Sequence, residues 1–138
     1  MNEIVSVAIL IFPISLFVFF IIYILSGYAH YEITDGNLRI KGIYRKTITI
    51  NSILNEDIKI RDLKELKEYR PYIRTNGIGF PGYYEGWFRL KNGEKCILLI
   101  RSKDKKTVYI PTKNNFSVIL SSKNPERIIE MIEREKII

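Results

Sequence analysis

From Ile4 to Leu25 the chain carries no ionisable side chain except the Tyr23 phenol. Such a run rises about 33 Å as an α-helix, enough to cross a hydrocarbon core about 30 Å thick. Once that helix is set aside, roughly 110 residues remain, which is room for one domain rather than two. Pro13 is no obstacle, because bilayer helices tolerate proline better than soluble ones. Tyr23 and Tyr28 fall where an aromatic interfacial belt belongs. A cleaved signal peptide is the competing reading, but it needs a basic leader and a shorter apolar core. Here the leader is the acidic Met1-Asn2-Glu3, so a retained anchor over residues 1–28 is expected, with a β domain over residues 29–138.

Charge divides the chain at the same place. No Lys or Arg precedes Arg39, so all 22 basic residues follow the apolar run, against 14 of the 15 acids. The positive-inside tendency then places the N-terminus outside and the domain at the cytoplasmic side of a cell membrane, held by a single span. Arg39, Lys41, Arg45 and Lys46 are the candidate lipid-facing residues. The basic excess favours an anionic neighbour, and the headgroup surface is the nearest one; simple solubility is the plainer alternative.

Catalytic chemistry finds little to use. Cys96 is the only cysteine, so the chain forms no internal disulfide, and within Cys96-Ile97-Leu98-Leu99-Ile100 the thiol reads as a small core hydrophobe. His30 is the only histidine and sits at the bilayer boundary. No nucleophile–base pair stands out, and no catalytic, cofactor-binding or metal-ligating residue is assigned. Lys103, Lys105 and Lys106 with Tyr109 are the most nucleic-acid-like feature. A solvated turn explains them more simply, and neither a nucleic acid nor a small-molecule substrate is expected as a partner.

After the apolar run, period-two patterns begin. Tyr31 to Thr34 and Leu38 to Lys41 flank Asp35-Gly36, a hairpin signal because both residues accept positive φ. Trp87 to Lys91 and Lys95 to Arg101 flank Asn92-Gly93 in the same way. Thr107 to Ile110 and Phe116 to Leu120 read as strands around an Asn114-Asn115 turn. Thr47 to Ile50 and Ile58 to Ile60 read as two more, and Asp62 to Tyr69 as a short helical turn. At the end the period changes: Pro125 suits a first helical position, and Ile128, Met131 and Ile132 repeat at three and four. About seven strands closed by one C-terminal amphipathic helix is a mostly β (α+β) arrangement.

The segment from Arg70 to Trp87 is the least ordinary. Gly77, Gly79 and Gly82 formally satisfy a dinucleotide fingerprint, but no strand-to-helix context surrounds them and Pro81 interrupts, so nucleotide binding is set aside. Two readings remain open: an architectural loop with glycine bends, or a binding edge displaying Arg70, Tyr72, Arg74, Phe80, Tyr83, Tyr84 and Trp87.

The run Arg74 to Phe88, then Tyr109-Ile110-Pro111-Thr112, then Ser121 to Glu126 resembles the bacterial pleckstrin-homology-like (PH-like) domains of membrane-associated proteins. The likeness extends over approximately His30 to Ile137. It implies a PH-like barrel, often beside transmembrane segments, and carries over no catalytic residue. Eukaryotic phosphoinositide readers use a long basic loop between their first two strands; here that connection is the short, acidic Asp35-Gly36-Asn37, too small to wrap a multiply charged headgroup. The expected function is a non-enzymatic, membrane-anchored module binding protein partners or itself. A domain sensing anionic lipid and an oligomeric membrane scaffold are the alternatives.

Overall fold

The computed structural model describes residues 2–62, 71–80 and 82–137, with backbone alone for residues 22, 25–28, 71–75, 80 and 137. Helix α1 runs Glu3–Tyr28, and its described side chains are exposed. It is the one described helix long and apolar enough to cross a membrane. Only Ala29 separates it from the first strand.

Two sheets follow. The first is an antiparallel meander of β1 (His30–Thr34), β2 (Asn37–Lys41) and β3 (Lys46–Thr49). Its first turn is the expected Asp35-Gly36, at φ 53° and 73°, a left-handed pair matching the twist of the strands it joins. The second sheet contains β4 (Lys59–Asp62), β5 (Pro71–Phe80), β6 (Tyr83–Leu90), β7 (Lys95–Arg101), β8 (Lys106–Pro111) and β9 (Ser117–Ser122), in the order β4-β8-β9-β7-β6-β5. Nine strands are thus described where the sequence pattern suggested about seven. Helix α2 (Pro125–Ile137) closes the chain, opening on Pro125 as expected.

The largest departure lies in the glycine-rich segment. It is no loop: β5 and β6 form a hairpin running from Pro71↔Leu90 to Phe80↔Tyr83. Residues 63–70, including the expected helical turn and Arg70, lie outside the described residues. The Asn92-Gly93 turn is also one residue longer than a two-residue hairpin. The Gly93 N–H reaches the Leu90 carbonyl at 2.9 Å and Leu90 bonds Glu94 at 2.8 Å, with Gly93 at φ 88°. That is a three-residue loop with a glycine bulge. Between β7 and β9 the pairing is parallel, which period-two patterns cannot reveal.

The core lies between the two sheets. Leu38, Ile40 and Ile48 of the first sheet meet Ile97, Leu99, Val108, Ile110, Val118 and Leu120 of the second, and Ile128 and Ile132 of α2 complete the layer. Helix α2 therefore buries its three-and-four stripe as patterned. A second apolar cluster, including Phe88, Cys96, Leu98 and Ile119, covers the other face of the six-stranded sheet. Strand β7 is buried on both faces, which explains why its sequence is nearly continuous in apolar residues.

The strands define two ends. His30 pairs with Lys41 in the first sheet and Tyr83 with Arg101 in the second, and Arg101 donates to the Ala29 carbonyl, which brings these residues together at the proximal end, where α1 departs. The turns at Asp35-Gly36, Asn92-Gly93 and Asn114-Asn115 lie distally. There, Glu135 of α2 accepts the Gly36 N–H at 2.9 Å and Lys136 donates to the Ile53 carbonyl at 2.8 Å.

Candidate functional site

Strand β6 supplies the centre of both notable side-chain groups, because alternation sends Tyr83, Glu85 and Trp87 toward the first sheet and Tyr84 the other way. Tyr84 instead meets Phe88 edge-on at 5.7 Å. Three aromatic residues expected to share one binding patch are therefore split between two faces. Of the remaining members, Tyr72, Arg74 and Phe80 occupy β5, their side chains lying outside the described residues, as does Arg70 altogether.

Trp87 is half-buried at the mouth between the sheets. The Lys95 ammonium stands 4.7 Å from its ring centroid and that of Lys46 5.8 Å. Phe116 packs edge-on against the indole at 5.5 Å. Beside it Asn76, Trp87, Arg89 and Lys95 line an open pocket of about 450 Å³. Cations over an indole face are held by its quadrupole, with strength on the order of 0.5–2 kcal/mol per pair. The result is a fixed, positively charged aromatic surface suited to a carboxylate or a carbonyl-rich chain.

The four basic residues nominated for lipid do not form one face. Arg39 and Lys41 lie on the outer side of the first sheet, where Arg39 donates to Thr34 at 3.3 Å and Lys41 pairs with Glu32 at 2.9 Å. The hydrogen bond from Lys41 holds the Glu32 carboxyl below its ordinary range. Arg45 is exposed in the β2–β3 loop. Lys46 points the opposite way, over Trp87, so one candidate belongs to the aromatic surface instead.

The second group is a clasp at the proximal end. Glu85 is 0% exposed. It accepts a hydrogen bond from the Tyr83 hydroxyl at 2.8 Å and from the Tyr44 backbone N–H at 3.3 Å. Gly42 makes the space: a Cβ there would lie 2.6 Å from a carboxylate oxygen of Glu85. Arg101 packs its guanidinium 5.6 Å from the Tyr83 ring centroid and donates to the Ala29 carbonyl, the single residue between α1 and β1. The clasp thus ties both the second sheet and the β2–β3 loop to the point where α1 leaves. Glu85 and Arg101 were not singled out in the sequence. The available signal was an acid at an inward-facing strand position between two aromatics.

A third polar group lies distally, where Glu94 accepts hydrogen bonds from Tyr109 (2.6 and 2.7 Å) and from Ser117. Among the described residues no three His, Cys, Asp or Glu side chains gather as a metal site would require.

Burial, then Glu85, pushes the Tyr83 phenol above its ordinary range; burial, then Glu94, does the same for Tyr109 and for the Cys96 thiol. Each group keeps its proton in the fold and loses it more readily in the unfolded chain. Their stabilisation is therefore complete below the ordinary pKa values and declines above them, from about pH 8.5 for the thiol and about pH 10 for the phenols. Melting temperature is expected to fall across this alkaline range. Cys96→Ala should flatten the earlier part of the fall, and Tyr83→Phe with Tyr109→Phe the later part. An unchanged slope in the triple variant would assign the fall to other groups.

Two packed sheets closed by a C-terminal helix are the architecture of a PH-like domain. Residues 29–136 match the family described as the bacterial PH domain, and the chain belongs to that family. No curated protein and no solved structure matches the chain significantly.

Proposed function

We propose that the chain is a non-enzymatic, membrane-anchored interaction module, with α1 in the bilayer and the domain at its cytoplasmic surface. Its binding surface is the outer edge of β5, which takes up an extended segment of a protein partner or of a second copy. The observation that carries this reading is the edge itself. β5 ends the order of the six-stranded sheet, and among the described residues no strand lies beyond it. Its first half is irregular, with register shifts at Pro71/Ile73 and Arg74/Asn76 of the kind that blunt an edge. From Asn76 to Phe80 the pairing is regular, leaving a short ladder able to accept a strand. The Trp87 surface with Lys46, Lys95 and Arg89 lies on the same face as Asn76 and favours an incoming segment with acidic side chains. PH-like domains are generally non-enzymatic, and membership of that family supports an interaction role.

Photo-crosslinking in native membranes tests the reading. A photoreactive residue at Asn76 is expected to capture a discrete partner or a second copy, the same residue at the distal Asn115 is not, and Lys95→Glu should reduce the Asn76 adduct several-fold. Equal labelling from Asn76 and Asn115 would retire the β5 edge as the binding surface.

A further inference from the structure

Among the described residues, every exposed large hydrophobic side chain belongs to α1 save one, Ile43, which is 42% exposed in the β2–β3 loop. That loop lies at the proximal end, because β2 reaches it at Lys41 opposite His30. We propose that this end of the domain is a second membrane contact, in which Ile43 inserts into the headgroup layer of an anionic bilayer and basic residues from three loops meet lipid phosphates. The proposal rests on the anchoring of α1 argued above and adds to it a defined lipid-facing surface.

The loop is built to present Ile43. Its neighbour Tyr44 is held by the backbone hydrogen bond to the buried Glu85, and the Tyr44 ring packs beside Gly86. The preceding Gly42 packs against Glu85 and Ala29. Ile43 is therefore fixed outward between two pinned residues, where burial in the core is closed to it.

Charge is distributed to match. The β7–β8 connection is proximal, since the Ser102 N–H bonds the Gly82 carbonyl at 3.0 Å and β8 starts at Lys106. It exposes Lys103, Lys105 and Lys106, and its acid, Asp104, accepts a hydrogen bond from Ser121 at 2.7 Å. Arg45 beside Ile43 and Lys123 after β9 are also exposed at this end. Arg89 and Lys95 make the distal end basic as well, but no exposed large hydrophobic side chain accompanies them among the described residues. The single residue between α1 and β1 spans about 3.5 Å, so the proximal end is the one that the anchor holds against the headgroups. An apolar side chain ringed by cations is the pattern of reversible interfacial binding.

The experiment uses the full chain in lipid nanodiscs, in a Cys96→Ala background, with fluorophores at Ile43→Cys, Ser102→Cys or Asn115→Cys. Nitroxide carried on the lipid headgroups is the quencher. Resistance of the chain to alkaline extraction reports the anchoring of α1 separately. In discs containing phosphatidylglycerol, the probes at 43 and 102 are expected to be quenched several-fold more than the probe at 115, and high salt or neutral lipid should shrink the difference. Each of Lys103, Lys105 and Lys106 replaced by Gln should lower the docked-to-undocked ratio about five-fold, and Ile43→Asp should lower the quenching read at 102. Extraction-resistant protein with equal quenching at 43, 102 and 115 would overturn the lipid contact while leaving the anchor standing. Extraction of the chain by alkali would remove the anchor on which it rests.

Discussion

Replacing Gly86 with alanine is expected to destabilise the domain by about 3 kcal/mol, lowering its melting temperature by roughly 12 °C or more. Two separate effects add there. Gly86 has φ 107°, a conformation that side-chain-bearing residues rarely adopt. A Cβ would also lie 2.7 Å from the Gly77 Cα and 2.8 Å from the Asn76 carbonyl oxygen, both backbone atoms that cannot step aside. Comparison glycines separate the effects. Gly93 has φ 88° with no atom within 4 Å of the added carbon, so Gly93→Ala measures strain alone, about 1 kcal/mol. At Gly77 no positive φ is involved, but a Cβ would meet the Glu85 carbonyl oxygen at 2.8 Å and the Phe88 ring at 2.9 Å, so Gly77→Ala measures crowding. Thermal unfolding followed by near-ultraviolet dichroism, and by Trp87 fluorescence, should rank the losses Gly86 above Gly77 above Gly93. Equal losses at Gly86 and Gly93 would mean that the close approach of β5 and β6 contributes nothing.

Those same glycines explain what the sequence concealed. Gly77 and Gly86 are direct partners across the β5–β6 hairpin, and the Tyr44 ring comes to within 2.9 Å of where a Gly86 Cβ would stand. A strand pair that needs close backbone approach loses the β-branched residues by which strands are recognised, so β5 reads as loop. Where side-chain chemistry and backbone geometry agree, the reading succeeds. The uncharged run gives α1, Asp35-Gly36 turns the first hairpin, and the three-and-four spacing of Ile128, Met131 and Ile132 gives α2. The parallel pairing of β7 with β9 is a long-range choice with no local trace. The candidate site was partly legible for the same reason. Trp87 and the basic residues are visible as types, but the register that turns Lys46 onto Trp87 and leaves Arg39 on the opposite face of its sheet is not. Glu85 escaped because a single acid in a strand normally faces water, and the missing side chain at Gly42 is what makes an interior place for it.

Glu85→Ala should therefore cost about as much as a large core truncation, on the order of 3 kcal/mol. The substitution removes the carboxylate that accepts from the Tyr83 hydroxyl and the Tyr44 N–H, and losing a buried hydrogen-bond partner costs about 1–3 kcal/mol. No longer having to bury a charge offsets part of that loss. Collapse is restricted, since Gly42 and Ala29 have too little side chain to fill the space. Glu85→Gln should be milder: its carbonyl oxygen can still accept from Tyr83, but its NH₂ then faces the Tyr44 N–H, donor against donor. Tyr83→Phe removes one donor and leaves a carboxylate buried with less support. Because Tyr83 and Glu85 share one hydrogen bond, their losses should not add, and a cycle through Tyr83→Phe, Glu85→Ala and the double variant should show coupling of about 1–2 kcal/mol. Additive losses would mean that the 2.8 Å bond carries no stability. Coupling would make the carboxylate the structural link between sheet and anchor. In that case Glu85→Ala should also weaken the hold on the β2–β3 loop, and proteolysis should cut at Arg45 while the rest of the domain is still folded.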